Sequence, residues 1–181
     1  MNSKTRLLSS EIIFDHPYVK ILVDTLLHHG REKEYLYLVS PVDAVAIIGL
    51  NSDGEILLTR QYRHPIRKVI YDLPAGSLLP GEQPLHGARR EFEEETGYYP
   101  THIHQIGYYN QFPGMLRAAT NLFFATDLTP TAQNLDEGEV LEVVCMPVEQ
   151  VLDMIKQGEF IDGSLQLVPN QLNSCTMSKK M

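Results

Sequence analysis

Between Gly76 and Tyr98 the chain reads GSLLPGEQPLHGARREFEEETGY, a Gly/Pro-rich loop followed by a charged segment. Pro84 suits the first turn of a helix and Gly97 its C-terminal cap, so a helix is expected from about Pro84 to Thr96. With Glu91 as zero and about 100° per residue, Glu95 falls near 40° and Glu94 near −60°, which puts three carboxylates on one face. Leu85, Ala88 and Phe92 fall at about 60–120° and form the stripe that faces the core. Glu93, at about 200°, points away and is expected in solvent. Any fold this chain adopts must therefore bury one side of the helix and hold acids side by side on another. Like charges at that spacing cost roughly 0.2–0.5 kcal/mol per pair. A hard divalent cation with oxygen ligands is the natural compensation. Gly87, at about −40°, sits among the carboxylates; a mid-helix glycine costs about 0.5–1 kcal/mol relative to alanine, so something bulky is expected close to it. A glutamate run is more commonly a solvated face. The flanking Glu82 and Arg90, and a loop fixed by Pro74, Gly76, Pro80 and Gly81, favour a built site.

Composition narrows the partner. The net charge of −8 speaks against binding a nucleic-acid backbone, which calls for a basic face. A phosphate-bearing small molecule remains compatible, because a metal ion bridges two sets of anions. The 181 residues suit one domain with an appendage. Cys145 and Cys175 have no metal-ligand spacing and read as free thiols in a reducing compartment. The start, MNSKTRLLSS, lacks the apolar run of a secretion signal, and no stretch is long enough to span a membrane, so a cytoplasmic protein without membrane partners is expected. The seven histidines show no HExxH spacing. Gly76–Glu82 lacks the Lys-Ser/Thr of a phosphate-binding P-loop.

Along the chain, strands are expected at 7–14, 18–27 and 34–39, the last two joined through His28-His29-Gly30-Arg31. This N-terminal β-meander, residues 1–40, is short of core residues and is expected to pack on the rest or on a second subunit. Residues 42–50 (VDAVAIIGL) form an unbroken apolar run, typical of a strand buried on both faces. Further strands are expected at 55–63, 68–73, 103–110, 121–128 and 140–146. A second helix, 148–157, follows Pro147 and stops at Gly158. Residues 41–172 thus form the main domain, and 173–181 read as a flexible tail. Strands mixed irregularly with helices give an α+β class.

Gly76, Glu82, Arg90, Glu91, Phe92, Glu94, Glu95, Gly97 and Tyr98 fill the pattern G-x5-E-x7-R-E-U-x-E-E-x-G-U, where U is bulky and apolar. This resembles the signature box of the Nudix hydrolases, with Phe92 and Tyr98 where an aliphatic residue is more usual. A looser likeness runs from about Val42 to Val168. The resemblance implies an α/β/α sandwich with a mixed sheet and a Mg²⁺- or Mn²⁺-dependent hydrolase of a nucleoside diphosphate linked to another group. It implies metal ligation by Glu91, Glu95 and Glu94 with the Ala75 carbonyl, and Arg90 and Glu82 orienting those carboxylates by ion pairing. It also implies that a glutamate on the loop before the last strand acts as general base; Glu139, then Glu137, occupies that place.

Arg60-Gln61-Tyr62-Arg63, Leu73-Pro74-Ala75-Gly76 and the stretch 108–114 with Pro113-Gly114 look like those of ADP-ribose pyrophosphatases and related nucleotide-sugar hydrolases. Pro113 lies sixteen residues beyond Gly97, where a proline recurs in ADP-ribose users. Two departures stand out: no acid follows Pro113-Gly114 within Met115–Thr120, and Asp72 replaces a more usual glutamate. Arg63 is the candidate for a phosphate or ribose contact, since its planar fork suits paired oxygens. Tyr18, Tyr35 and Tyr37 could form an aromatic slot for a base. The leading expectation is a pyrophosphohydrolase of ADP-ribose or a related nucleoside diphosphate sugar. The alternatives are another substrate of the same class, a GDP-sugar or a dinucleotide, or a non-catalytic nucleotide-sugar sensor. A homodimer through residues 1–40 is a further implication of the resemblance.

Overall fold

The structure, a computed structural model, describes residues 4–172; residues 1–3 and the tail assigned to 173–181, with Cys175, lie outside them. Two compact units form. One comprises the residues up to Asp43 together with Tyr109–Thr120, the other Ala44–Tyr108 and the residues from Asn121 onward.

In the first unit, β1 (Thr5–His16), β2 (Val19–His28), β3 (Arg31–Val39) and β9 (Leu116–Arg117) make a four-stranded sheet in the order β1-β2-β3-β9. The meander expected from the sequence is there. The turn between β2 and β3 has His29 and Gly30 at φ 50° and 77°, two left-handed residues that suit a tight hairpin. A boundary at residue 40 is nevertheless incomplete. The return segment 109–120, read as part of the main domain, joins this unit because β9 pairs parallel to β3 through Leu38–Leu116 and Val39–Arg117.

The second unit carries the remaining strands: β4 (Ala44–Leu50), β5 (Glu55–Arg63), β6 (Lys68–Asp72), β7 (Ala75–Ser77), β8 (Tyr98–Tyr109, whose last residue belongs to the first unit), β10 (Thr120–Pro130, whose first residue belongs to the first unit) and β11 (Leu141–Pro147). The sheet order is β11-β5-β4-β10-β8, with β6 on β5 and β7 on β4. Side chains alternate across a strand, so the unbroken apolar run of β4 demands cover on both faces. It receives it. Val45, Ile47, Leu57, Phe123 and Ala125 pack with Ala88 and Phe92 of α1 (Pro84–Thr96). Ala46, Ile48, Ile56, Leu58, Leu122 and Phe124 pack with Val151 of α2 (Val148–Gln157) and with Phe160, Leu165 and Val168. One helix on each face is the α+β sandwich expected. Leu85 departs from expectation: it is exposed, and the stripe that meets the sheet consists of Ala88 and Phe92. The strand expected from Ile103 begins at Tyr98, directly after the left-handed cap at Gly97.

Candidate active site

The acidic helix and its loop form a small machine around Arg90. Its guanidinium donates from Nε to Glu82 Oε1 at 3.0 Å and from Nη2 to Glu82 Oε2 at 2.9 Å, a paired fork. Nη1 donates to Glu91 Oε1 at 2.9 Å and to Glu94 Oε2 at 3.0 Å. Nη2 also reaches the Ser77 carbonyl at 3.2 Å. Glu82 accepts a further bond from the Leu79 N–H. The Arg90 hydrogen bond holds the Glu82 carboxyl below its ordinary pKa of 4.5. Gly87 is glycine for the reason anticipated, because a methyl there would overlap the Leu78 side chain and crowd the Glu82 carboxylate. Glu93 is only partly exposed and takes no part in the Arg90 ion pairs.

Glu95 lies at the bottom, 3% exposed. Its Oε2 accepts the Ala75 N–H at 2.9 Å, which joins the end of the helix to β7. Burial pushes its pKa up to about 8; the Ala75 hydrogen bond and the Arg63 charge oppose the rise, while the charges of Glu139 and Glu91 add to it. Burial likewise raises Glu91, against Arg90 and with Glu94 and Glu139. Gly76 leaves room for this: a Cβ there would fall within the Glu91 carboxylate.

The loop after β10 returns to the same place. Thr131 N–H donates to the Gly97 carbonyl, Gln133 Nε2 to the Glu95 carbonyl, and Asn134 N–H to the Glu94 carbonyl, at 2.7, 2.7 and 2.9 Å. These bonds bring Glu139 where its charge is felt by Glu91 and Glu95. Glu137 is exposed, whereas Glu139 is half-buried. Arg63 closes another side, bonded through Nε and Nη2 to Asp72 Oδ2 at 2.7 and 2.6 Å. Asp72 is 4% exposed, and the sequence marked it only as a departure from a glutamate. Its signal was faint, a lone acid at the end of an apolar strand.

Other candidates belong to the first unit. Pro113 and Gly114 are exposed residues of the first unit, beside a pocket of about 450 Å³ that also involves Asp24, Tyr35, Tyr37 and Arg117. There the Tyr35 hydroxyl donates to the Gly114 carbonyl and Arg117 stands over the Tyr37 ring. Among the described residues, no three His, Cys, Asp or Glu side chains are gathered into an arrangement that could hold a metal ion. The donor chemistry nonetheless suits a hard cation. Glu91 and Glu95 are acids whose proton affinity is raised first by burial and then by neighbouring carboxylates, and every side-chain ligand they offer is oxygen. The part of Ala75 that is engaged with Glu95 is its N–H.

A family model, the NUDIX domain, matches residues 40–166. An ADP-ribose pyrophosphatase of Bacillus subtilis (strain 168) is 31% identical, over 86% of this chain and 85% of that protein. A methanol dehydrogenase activator of Bacillus methanolicus is also 31% identical, with the same two shares covered. Among solved structures, the crystal structure of an ADP compounds hydrolase superposes with a TM-score of 0.84 at 23% identity, covering 95% of this chain and 96% of that one; that likeness is one of fold. Among the described residues, no helix is long and apolar enough to cross a membrane.

Proposed function

The chain belongs to the Nudix family, and from that premise we propose that it is a divalent-metal-dependent pyrophosphohydrolase of ADP-ribose or a closely related nucleoside diphosphate sugar. Water adds across the diphosphate, and the products are a nucleoside monophosphate and a sugar phosphate. The observation that carries this reading is geometric: Arg90 gathers Glu82, Glu91 and Glu94, while the buried Glu95 of the same helix accepts the Ala75 N–H. The flanking motifs, and a curated ADP-ribose pyrophosphatase at 31% identity, support the choice of substrate.

Members of this family generally use divalent metal ions; Mg²⁺ or Mn²⁺ is the reading here, held by Glu91, Glu94 and Glu95 with the Ala75 carbonyl. When bound, such an ion polarises the phosphorus and lowers the pKa of a bound water. The chain supplies the rest. Arg90 and Glu82 fix the rotamers of Glu91 and Glu94 by ion pairing. Glu139 accepts the proton of the attacking water, with Glu137 the weaker candidate for that task. Arg63 offers its planar fork to a phosphate, which lowers the charge that develops as the bond breaks. Pro113 and Gly114 are kept as substrate contacts on the strength of the flanking motif alone.

We also read the chain as a cytoplasmic homodimer. The exposed, free Cys145 is in keeping with a reducing compartment. Strand β1 lies at the edge of its sheet and exposes Leu7, Ile12, Ile13 and Phe14, an apolar edge that association through residues 1–40 would cover. Light scattering on the intact protein tests this, and a monomer mass would refute it.

The deciding experiment incubates the protein and Mg²⁺ with ADP-ribose, GDP-mannose, diadenosine polyphosphates and NADH. AMP and ribose 5-phosphate released from ADP-ribose faster than products from the others is the expected result. A GDP-sugar or a dinucleotide as the best substrate would move the assignment within the family. No turnover of any, with tight binding of one, would favour a sensor.

A further inference from the structure

Asp72 is an odd acid to bury. It ends β6 with Leu73 and Pro74, both buried, leading straight into Ala75. Its Oδ2 takes both bonds from Arg63, yet its Oδ1 is buried with no hydrogen-bond partner. Replacing a buried ion pair by apolar side chains is often neutral or stabilising, so stability alone is a poor reason to keep this one. Geometry gives a better reason. The pair takes the Nε–Nη2 edge of the guanidinium and ties it to the strand that enters the acidic loop. Arginine has five donors in a rigid fork, so fixing one edge fixes the direction of the Nη1 donors. Arg63 is itself half exposed, at 44% for the side chain, and without Asp72 it would be a mobile arm at the end of a strand.

We propose that Asp72 is a positioning residue, which locks the guanidinium of Arg63 in the orientation that meets a phosphate of the substrate. This deepens the reading of Arg63 as a phosphate contact and rests on it. The buried Asp72 touches no substrate; it acts through Arg63.

The test measures kcat and KM for ADP-ribose with Mg²⁺ on the full chain carrying Arg63→Ala, Asp72→Asn, or both. A hydrogen-bonded charge contact is worth about a ten- to a hundredfold in binding, so Arg63→Ala should raise KM by about that factor. Asp72→Asn should raise KM by a large part of it, with kcat little changed. The double variant should be no worse than Arg63→Ala alone, because both changes remove one contact. Asp72→Glu, which returns a carboxylate, should bring KM most of the way back. A merely structural role would lower the melting temperature without this split between KM and kcat. If Asp72→Asn does not fold, Asp72→Ser is judged by the same criterion. A normal KM for Asp72→Asn beside a raised KM for Arg63→Ala, or additive effects in the double variant, overturns the positioning role while leaving the Arg63 contact standing. A normal KM for Arg63→Ala overturns both.

Discussion

Glu95→Gln separates folding from function at a single atom. In the folded chain without metal, burial raises Glu95 from an ordinary 4.5 to about 8. Between those values the folded state holds a proton that the unfolded state has released. Stability is therefore full below about pH 4.5 and is lost as the pH rises through about 8. Each pH unit in that window removes up to about 1.36 kcal/mol, so the roughly 3.5 units amount to about 5 kcal/mol. A whole domain commonly has only about 5–15 kcal/mol to lose. Glu91 is raised as well and adds in the same sense. A glutamine has no proton to lose, keeps an oxygen for the Ala75 N–H, and should flatten this slope. Urea unfolding at pH 5, 6, 7 and 8 in EDTA, followed by far-UV circular dichroism, reads it directly. The wild type should weaken steadily with pH; the variant should weaken much less and match or exceed it at pH 8. Turnover should move the other way, with the variant losing orders of magnitude in kcat. A wild type whose stability is flat from pH 5 to 8, or a variant as steep as the wild type, would refute the account of Glu95 as a charge held in unfavourable surroundings.

Two further substitutions probe the same site. Glu139→Gln should lower kcat by about 10²–10⁴-fold, the usual contribution of a positioned proton acceptor, and leave KM nearly unchanged, whereas Glu137→Gln should do little; stopped assays over a substrate series check both. Gly76→Ala puts a methyl where the Glu91 carboxylate lies, and a displacement of about 1 Å in a reacting group costs on the order of 10²-fold. Its activity should collapse while its thermal melt shifts modestly, and an active Gly76→Ala would show that Glu91 need not sit against that backbone.

Much of this fold could be read because its ends are punctuated. Pro84 and Gly97 bracket α1, and Pro147 and Gly158 bracket α2, so both helices run over the expected residues. The apolar run of β4 announced a strand covered on both faces, and Val45 and Ala46 point into different clusters. Elements that owe their existence to distant partners were not legible. β7 is three residues long and exists through its pairing with Ala44–Ala46; β9 is two residues long and exists through β3. Leu85 shows the limit of a helical wheel, which gives direction around the axis but not how far along it the partner surface extends. In the site, spacing alone placed Glu91, Glu94 and Glu95 on one helix and foresaw the close approach at Gly87. The tie between Asp72 and Arg63 spans a turn, and its meaning depends on burial that no local pattern reports. The position of Glu139 depends on three hydrogen bonds from residues 131–134 to the end of α1, a long-range event.

The acids are balanced in two different ways, and this has a measurable consequence. Glu82, Glu91 and Glu94 share the fixed charge of Arg90, which never titrates in the working range. Glu95 makes no ion pair of that kind and, without metal, is neutralised largely by a proton. A cation that takes Glu95 as a ligand must displace that proton, since the ligand is the carboxylate. Binding of Mg²⁺ near pH 7 should thus release about 0.9 proton per chain from Glu95, a value that follows from its pKa of about 8. Titration calorimetry in buffers of different ionisation enthalpy measures this number from the slope of apparent enthalpy against buffer enthalpy. The slope should fall toward zero by about pH 9.5, where Glu95 is already ionised, and it should be nearly absent at pH 7 in Glu95→Gln. Tight Mg²⁺ binding at pH 7 with no proton released by the wild type would mean that Glu95 is ionised before the metal arrives, and that the surrounding donors already supply the charge this reading assigns to the cation.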